Sequence, residues 1–318
     1  LWAVPEALRI ATVEGFLRLA DEIADKLAKV YSAGFEYAYF DGSEGVNEPF
    51  EYNVPRAQYR VYKKLAPEPL YCEGAAKSHF SWHMFGGGNA FDVFRPEEFK
   101  EMIRRFPAEE APRMRCDFTR LNFGWWAFRA PDPEQSPTGM QPDMYEFGTS
   151  VAAAWDCPVT MMENLEAFRA HPRTPELLEV MRRWELARRT GFLTPERKLA
   201  LRDTAQEHTL LLDESGALEL RPYDHLTTAA GGDFRVRAFL FERGGEAWAV
   251  YWHAIGEGRL FLPLDPSELT LMAALGGDAV EPEVCPGGCV VPAGARLYLR
   301  STLSRAALAQ ALEKAYLM

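Results

Sequence analysis

The feature that most constrains the fold is the stretch Gly34–Gly45, in which an apolar, aromatic segment leads directly into Asp41. The preceding segment, from about Val13 to Tyr31, has the residue pattern of a helix. An α/β barrel presents a carboxylate in this order: a helix, a short turn, a buried strand and then acidic residues at the strand's C-terminal end. The pattern therefore predicts an enzyme in which Asp41 belongs to the active site.

The first 200 residues alternate between strand-like and helix-like segments. The predicted strands are Phe35–Phe40, Pro69–Glu73, Arg113–Phe118, Asp143–Phe147 and Pro158–Met162. The predicted helices are Val13–Tyr31, Arg56–Leu65, Pro96–Phe106, Ser150–Trp155 and Pro175–Thr190. Alternation of this kind predicts parallel strands that are joined by helical crossovers.

Five such strands are visible, whereas a closed barrel of this class has eight. We therefore interpret residues 1–203 as strands four to eight of a TIM-type α/β barrel, and we expect the first three strands to be absent from this chain. An open, doubly wound sheet needs no absent strands and is the rival interpretation.

The pattern changes at His208, where short alternating segments are separated by turns rich in Gly and Asp. The predicted strands here are Thr209–Leu212, Leu218–Pro222, Phe234–Glu242, Ala247–His253, Arg259–Leu264, Leu269–Leu275 and Ala295–Leu299. This pattern predicts an antiparallel β-sandwich over residues 204–303. Residues 304–318 form a predicted terminal helix that Ser304 caps.

The charge of the chain restricts its partners. The formal net charge is −11, with 46 acidic and 35 basic residues, which argues against a nucleic-acid backbone or an anionic membrane surface. We expect an oligosaccharide or glycoside as the partner, and neither a cofactor nor a metal ion. A homo-oligomer, or association with an N-terminal portion outside this chain, stays open. So does the compartment, whether secreted, periplasmic or cytoplasmic.

Five cysteines cannot all pair with one another. Cys72, Cys116 and Cys157 lie in or beside predicted strands and are interpreted as small buried apolar residues. Cys285 and Cys289 flank a Pro-Gly-Gly turn, where either a hairpin disulfide or two free thiols would fit.

Candidate catalytic groups stand where the predicted strands end. The catalytic candidates are Asp41, Glu73 and Asp117. The substrate-binding candidates are Glu44, His79, Trp82, His83, Asn122, Trp125, Trp126 and Glu146, and the fifth strand is followed by Glu163 and Asn164. Cleavage of a glycosidic bond needs one carboxyl group to protonate the leaving oxygen, and a second to attack the anomeric carbon or activate water.

Each carboxylate also has a structural interpretation. Asp41 is followed by Gly-Ser and would suit a turn. Glu73 and Asp117 would suit ion pairs with nearby basic residues. Glu146 would suit the cap of a helix that begins near Thr149.

The segment Tyr39-Phe40-Asp41-Gly42 resembles the Trp-Phe-Asp-Gly strand end of α-L-fucosidases, glycoside hydrolase family 29. The lead-in Gly34-Phe-Glu-Tyr is similar to strand four of α-galactosidase-type barrels. Both resemblances imply a barrel followed by a β-sandwich, with Asp41 as the nucleophile. The galactosidase pattern places the acid/base after strand six, at Asp117, whereas Glu73 is the better-placed glutamate on the adjacent strand.

These observations predict a retaining, exo-acting glycoside hydrolase with Asp41 as nucleophile and Glu73 or Asp117 as acid/base. One alternative is a β-glycosidase-type barrel in which Glu44 is the acid/base and Glu146 the nucleophile. Another is a carbohydrate-binding protein without catalytic activity.

Overall fold

The computed structural model describes residues 13–41, 53–74, 84, 87–89, 92–93, 95–105, 120–123, 125–157, 159–213, 215–273 and 275–318. The chain divides into two compact units. The first contains residues 1–92 and 110–125, and the second contains residues 93–109 and 126–318. The domain boundaries predicted after residues 203 and 303 stay a prediction.

Two helices of the first unit cover one face of a pair of strands. Helix α1 (Val13–Tyr31) has the predicted bounds, and α2 (Asn53–Tyr62) begins three residues before its predicted start. Ala24 and Tyr31 of α1 pack in one apolar cluster with Val61 of α2. The spacing of Ala24 and Tyr31 by seven residues puts both on the same side of the helix. Burial of this face holds the helices together.

The strands of the first unit are short and partly parallel. Strands β1 (Tyr37–Phe40) and β2 (Tyr71–Gly74) pair in parallel, which confirms the first two predicted strands and their connection through α2. They are followed by β3 (Gly87–Asn89) and β5 (Arg120–Asn122), whereas the two-residue strands β4 (Asp92–Val93) and β6 (Trp125–Trp126) each contain a boundary between the two units. Strand β3 pairs with β5, also in parallel. The strand predicted at Arg113–Phe118 lies outside the described residues.

The described helices of the second unit were predicted in part, and the helix Leu165–Ala170 was not predicted. They are α3 (96–105), α4 (Pro142–Ala154), α5 (Leu165–Ala170), α6 (Thr174–Arg189), α7 (Pro195–Leu201) and α8 (Arg305–Glu313). A short strand, β7 (Thr160–Met161), precedes α5 and confirms the fifth predicted strand. Ser304 caps α8 as predicted, since its hydroxyl accepts a hydrogen bond from the backbone N–H of Ala307.

Helix α4 corrects the sequence interpretation. The strand predicted at Asp143–Phe147 is wrong, because this segment is helical and continues into the predicted helix at Ser150–Trp155. Every residue of α4 is buried. Gly148 allows close packing, because a Cβ atom there would lie 2.8 Å from Cη2 of Trp126. A helix that is covered on all sides shows no polar stripe, and its sequence therefore lacks the usual helical signal.

The remainder of the second unit is antiparallel β-structure, as predicted. Its strands are β8 (His208–Leu212), β9 (Leu218–Pro222), β10 (Asp224–His225), β11 (Val236–Arg243), β12 (Glu246–His253), β13 (Arg259–Leu262), β14 (Leu269–Met272), β15 (Glu283–Cys285), β16 (Gly288–Pro292), β17 (Leu297–Ser301) and β18 (Tyr316–Leu317). One sheet has the order β10-β11-β12-β17-β14 and another the order β15-β16-β13-β18. Leu299 of the first sheet, Leu260 of the second and Leu308 of α8 belong to one apolar core.

The cysteines settle the question of a hairpin disulfide. Cys285 and Cys289 form no disulfide, and neither do Cys72 and Cys157. The turn between β15 and β16 is present, but the register pairs Cys285 with Gly288 and Cys289 with Val284. The two sulfur-bearing residues are therefore not opposite each other.

Candidate active site

The first unit presents a group of side chains on one face of β1 and β2. Alternation along a strand sends Ala38, Phe40 and Cys72 towards the helices, and the register Tyr39↔Glu73 puts Glu73 on the other face. Glu73 is the next-to-last residue of β2 and is only 4 % exposed. The buried carboxylate thus lies at the C-terminal end of a parallel strand.

Two tyrosines on the same face surround this carboxylate. Tyr37 is paired with Tyr71 in the register, and their rings stack with centroids 5.6 Å apart and an interplanar angle of 10°. The Tyr37 hydroxyl donates a hydrogen bond of 3.1 Å to Oε2 of Glu73. The stack fixes the position of the Tyr37 ring, and the ring in turn orients the carboxylate.

The electrostatics keep both hydroxyl groups protonated. Burial and the neighbouring charge of Glu73 raise the pKa of Tyr37 well above its usual value. The same two causes raise the pKa of Tyr71 to about 12. Burial likewise raises the pKa of the Cys72 thiol to about 12. These groups therefore stay neutral over the ordinary pH range, and Tyr37 remains a hydrogen-bond donor.

Asp41 follows the last residue of β1 directly and is exposed. Phe40 pairs with Gly74, so Asp41 and Glu73 lie at the same end of the two parallel strands. Asp41 is two positions beyond Tyr39, the residue that pairs with Glu73. With about 3.3 Å per residue along a strand and about 4.8 Å between strands, this geometry corresponds to Cα atoms about 8 Å apart.

The other predicted residues of this region are described in part or not at all. Asn122 lies in β5 opposite Asn89, and Trp125 begins β6. Outside the described residues lie Glu44, His79, Trp82, His83 and Asp117.

Glu146 does not lie at the end of a strand, contrary to the sequence interpretation. It is in α4 and is 1 % exposed. Its Oε1 accepts hydrogen bonds from Nε1 of Trp184 at 3.1 Å and from the backbone N–H of Leu210 at 2.8 Å. Its Oε2 lies 3.3 Å from the guanidinium of Arg296. The carboxylate is enclosed by protein donors, and we leave it out of the proposed site.

Trp126 is also enclosed, which conflicts with its predicted contact to a sugar. Its side chain is 0 % exposed. Phe99 and Tyr145 meet it edge-on, with ring centroids 5.1 and 5.6 Å away. Because both neighbours belong to the same core, this indole serves packing and offers no open face to a ligand.

The second unit contains a cavity of about 870 Å³ that the sequence did not identify. Its lining includes Arg129, Asp132, Ser136 and Glu163. An adjoining space of about 470 Å³ shares Arg129 and Glu163 with it and adds Asn164. Glu163 and Asn164 were noted as the residues that follow the fifth predicted strand. Arg129 was missed because β6 has only two residues, too few for a strand pattern in the sequence.

Two further properties concern the described residues as a whole. They contain no group of three or more His, Cys, Asp or Glu side chains arranged to hold a metal ion. None of their helices is long and apolar enough to span a membrane.

Comparison with known proteins gives no family assignment. No protein-family model matches the chain, and no curated protein matches it in sequence. Among solved structures, it is similar to an α-amylase from Anoxybacillus, with 10% identity, a TM-score of 0.34, and coverage of 90% of this chain and 64% of that one. It is also similar to an α-amylase from Geobacillus thermoleovorans in complex with acarbose, with 11% identity and a TM-score of 0.35. That alignment covers 93% of this chain and 66% of the amylase.

A family 27 β-L-arabinopyranosidase from Geobacillus stearothermophilus, in complex with arabinose, is similar at 7% identity and a TM-score of 0.38. That alignment covers 89% of this chain and 62% of the enzyme. The chain therefore spans less than two thirds of the length of each of these three structures. All three TM-scores are below 0.5, and no argument below rests on these similarities.

Proposed function

We propose that this chain carries part of a TIM-type α/β barrel and acts as a retaining, exo-acting glycoside hydrolase. Asp41 attacks the anomeric carbon, and Glu73, or Asp117 in its place, protonates the leaving oxygen and then activates water. The observation that carries the proposal is the parallel register of β1 and β2, which brings Asp41 and Glu73 to one strand end. The substrate is an oligosaccharide or another glycoside.

The environments of the two carboxylates support different roles. Glu73 is buried, and burial favours the neutral, proton-donating form of a carboxyl group. Asp41 is exposed, so that a substrate can reach its carboxylate. Pairs of carboxyl groups in contrasting environments are how glycosidases separate an acid from a nucleophile.

The test is turnover of a panel of nitrophenyl glycosides by the wild-type chain and by Asp41→Asn and Glu73→Gln. We expect Asp41→Asn to lower kcat by at least about 10³-fold and Glu73→Gln by about 10²- to 10⁴-fold, since each variant removes a group that acts in the transition state. Glu36→Gln is the matched control, because Glu36 is an exposed carboxylate just before the opposite end of β1.

Azide distinguishes the two roles. We expect azide to restore turnover in Asp41→Gly, because the small anion replaces the lost nucleophile. This restored turnover should depend on the concentration of azide. An Asp41→Asn variant with wild-type kcat would remove Asp41 from the mechanism. Binding of oligosaccharides by a wild-type chain that cleaves none of the panel would instead indicate a carbohydrate-binding protein.

A further inference from the structure

The hydrogen bond between Tyr37 and Glu73 opposes the effect of burial on that carboxyl group. Burial disfavours the charged form of Glu73, whereas a hydroxyl that donates to a carboxylate favours it. The Tyr37 hydroxyl contacts Oε2 of Glu73 at 3.1 Å, and its ring is held by the stack with Tyr71. The protonation state of Glu73 therefore depends on a residue that the sequence analysis did not single out.

We propose that Tyr37 is a positioning residue that orients Oε2 of Glu73 and shifts the carboxyl group towards its ionised form. The proposal rests on the proposed function of this site. In this proposal, Tyr37 helps to set the pKa of Glu73 and therefore the pH range in which Glu73 is active.

The described surroundings of Glu73 contain few other groups that titrate. Strand β1 contributes Tyr37 and Tyr39, the residue that pairs with Glu73 in the register, and Asp41 follows the strand. Strand β2 contributes Tyr71 and the Cys72 thiol, whose pKa Glu73 helps to raise. Strand β3 consists of Gly87–Asn89 and brings no titratable side chain. The Tyr37 hydroxyl donates a hydrogen bond to Oε2 of Glu73.

The variant Tyr37→Phe removes the donor and keeps the ring. We expect the pKa of Glu73 to rise by about one unit, because the net value of a hydrogen bond to a charged group corresponds to about one unit or more. Tyr71→Phe is the matched control. It removes a hydroxyl that also lies near Glu73, but it leaves the hydrogen bond from Tyr37 in place.

Two readouts test the proposal. The first is a ¹³C NMR titration of the side-chain carboxyl of Glu73, assigned with the Glu73→Gln variant, in the wild-type chain and both tyrosine variants. The second is the pH profile of kcat/KM on a nitrophenyl glycoside. If Glu73 acts as the acid, the basic limb moves to higher pH in Tyr37→Phe; if it acts in its ionised form, the acidic limb moves to higher pH.

The proposal is supported by a rise of about one unit in Tyr37→Phe and a change below about 0.3 unit in Tyr71→Phe. It is overturned if the pKa of Glu73 is unchanged in Tyr37→Phe, or if both variants shift it equally. Circular dichroism confirms that each variant is folded. A wild-type chain without glycosidase activity would refute the proposed function, and the NMR titration would still decide the role of Tyr37.

Discussion

Glu146 illustrates how an individual buried carboxylate is stabilised in this molecule. Removing a charged carboxylate from water costs several kcal/mol unless donors replace the lost hydration. Here Trp184, Leu210 and Arg296 supply those donors from α6, from β8 and from the residue just before β17. The side chain thus joins α4 to α6 and to two parts of the antiparallel β-structure of residues 208–318, here called the β-region.

We expect Glu146→Gln to lower the free energy of unfolding by about 3 kcal/mol, because it leaves the buried Arg296 without a negative partner. Urea-induced unfolding measures this change. Glu185→Gln is the control, since Glu185 and Arg188 form a half-exposed ion pair within α6 that contributes less than about 1 kcal/mol. A Glu146→Gln variant with normal stability but no glycosidase activity would favour the alternative mechanism in which Glu146 is the nucleophile.

At this scale the sequence located some side chains and misplaced others. The positions of Asp41 after β1 and of Glu73 near the end of β2 were predicted because the sequence shows both apolar strands clearly, and the catalytic roles of the two residues stay a prediction. Trp126 and Glu146 were misplaced because residue type alone does not distinguish a buried aromatic or acid from an exposed one. Tyr37 was missed, although its even spacing from Tyr39 puts it on the face of Glu73.

The turn between α5 and α6 is stabilised by a neutral histidine. His171 is 3 % exposed. Its Nε2 lies 2.8 Å from the carbonyl oxygen of Met140, and its Nδ1 accepts a hydrogen bond from the backbone N–H of Arg173. These contacts define the tautomer with the proton on Nε2. Burial is the main cause that lowers the pKa of His171 to about 4.

This lowered pKa predicts a loss of stability at acidic pH. The contribution of His171 is fully present above pH 6.5 and is lost as the pH falls from about 6.5 towards 4, because the unfolded chain binds the proton first. We expect a cost of about 2 kcal/mol at pH 4.5. Urea unfolding at pH 7 and 4.5 measures it. In His171→Asn this difference should shrink by that amount, and an unchanged difference would rule out His171 as its source.

At the scale of elements, the sequence was reliable where an element has one solvent-facing side. Helix α1 matched its predicted bounds, and α6 was displaced by one residue at each end. Helix α4 was missed in its first half because all its residues are buried. Strands β15 and β18 were missed because they have only three and two residues, too few to show an alternating pattern. Pairing with β16 and β13 holds these residues in extended form.

The second unit as a whole is held together by polar contacts between α4 and the β-region. Nε1 of Trp252 donates to Oε1 of Gln141 at 2.8 Å, and Nε2 of Gln141 donates to the carbonyl oxygen of Ala254 at 3.0 Å. Arg237 forms a 2.6 Å ion pair with Asp143, whose side chain is fully buried. The β-region therefore shares its interior with the helices that precede it.

This sharing predicts the behaviour of residues 204–318 expressed alone. We expect this fragment to be at least about 3 kcal/mol less stable than the β-region of the full chain, because apolar side chains that pack against the missing residues, such as Trp252 beside Gln141, become exposed to water. Hydrogen exchange of the β11 and β12 amides in the fragment and in the full chain gives the comparison. Equal protection would show that the boundary predicted after residue 203 separates independent domains.

Gly148 has a consequence for how this chain can evolve. A side chain at this position would meet Trp126 at 2.8 Å and Phe99 at 3.0 Å, both of them large core residues. A mutation away from glycine is therefore tolerated only after one of the two rings has become smaller. In an alignment of descendants, these three positions should covary, and the order in which their substitutions arose should be constrained.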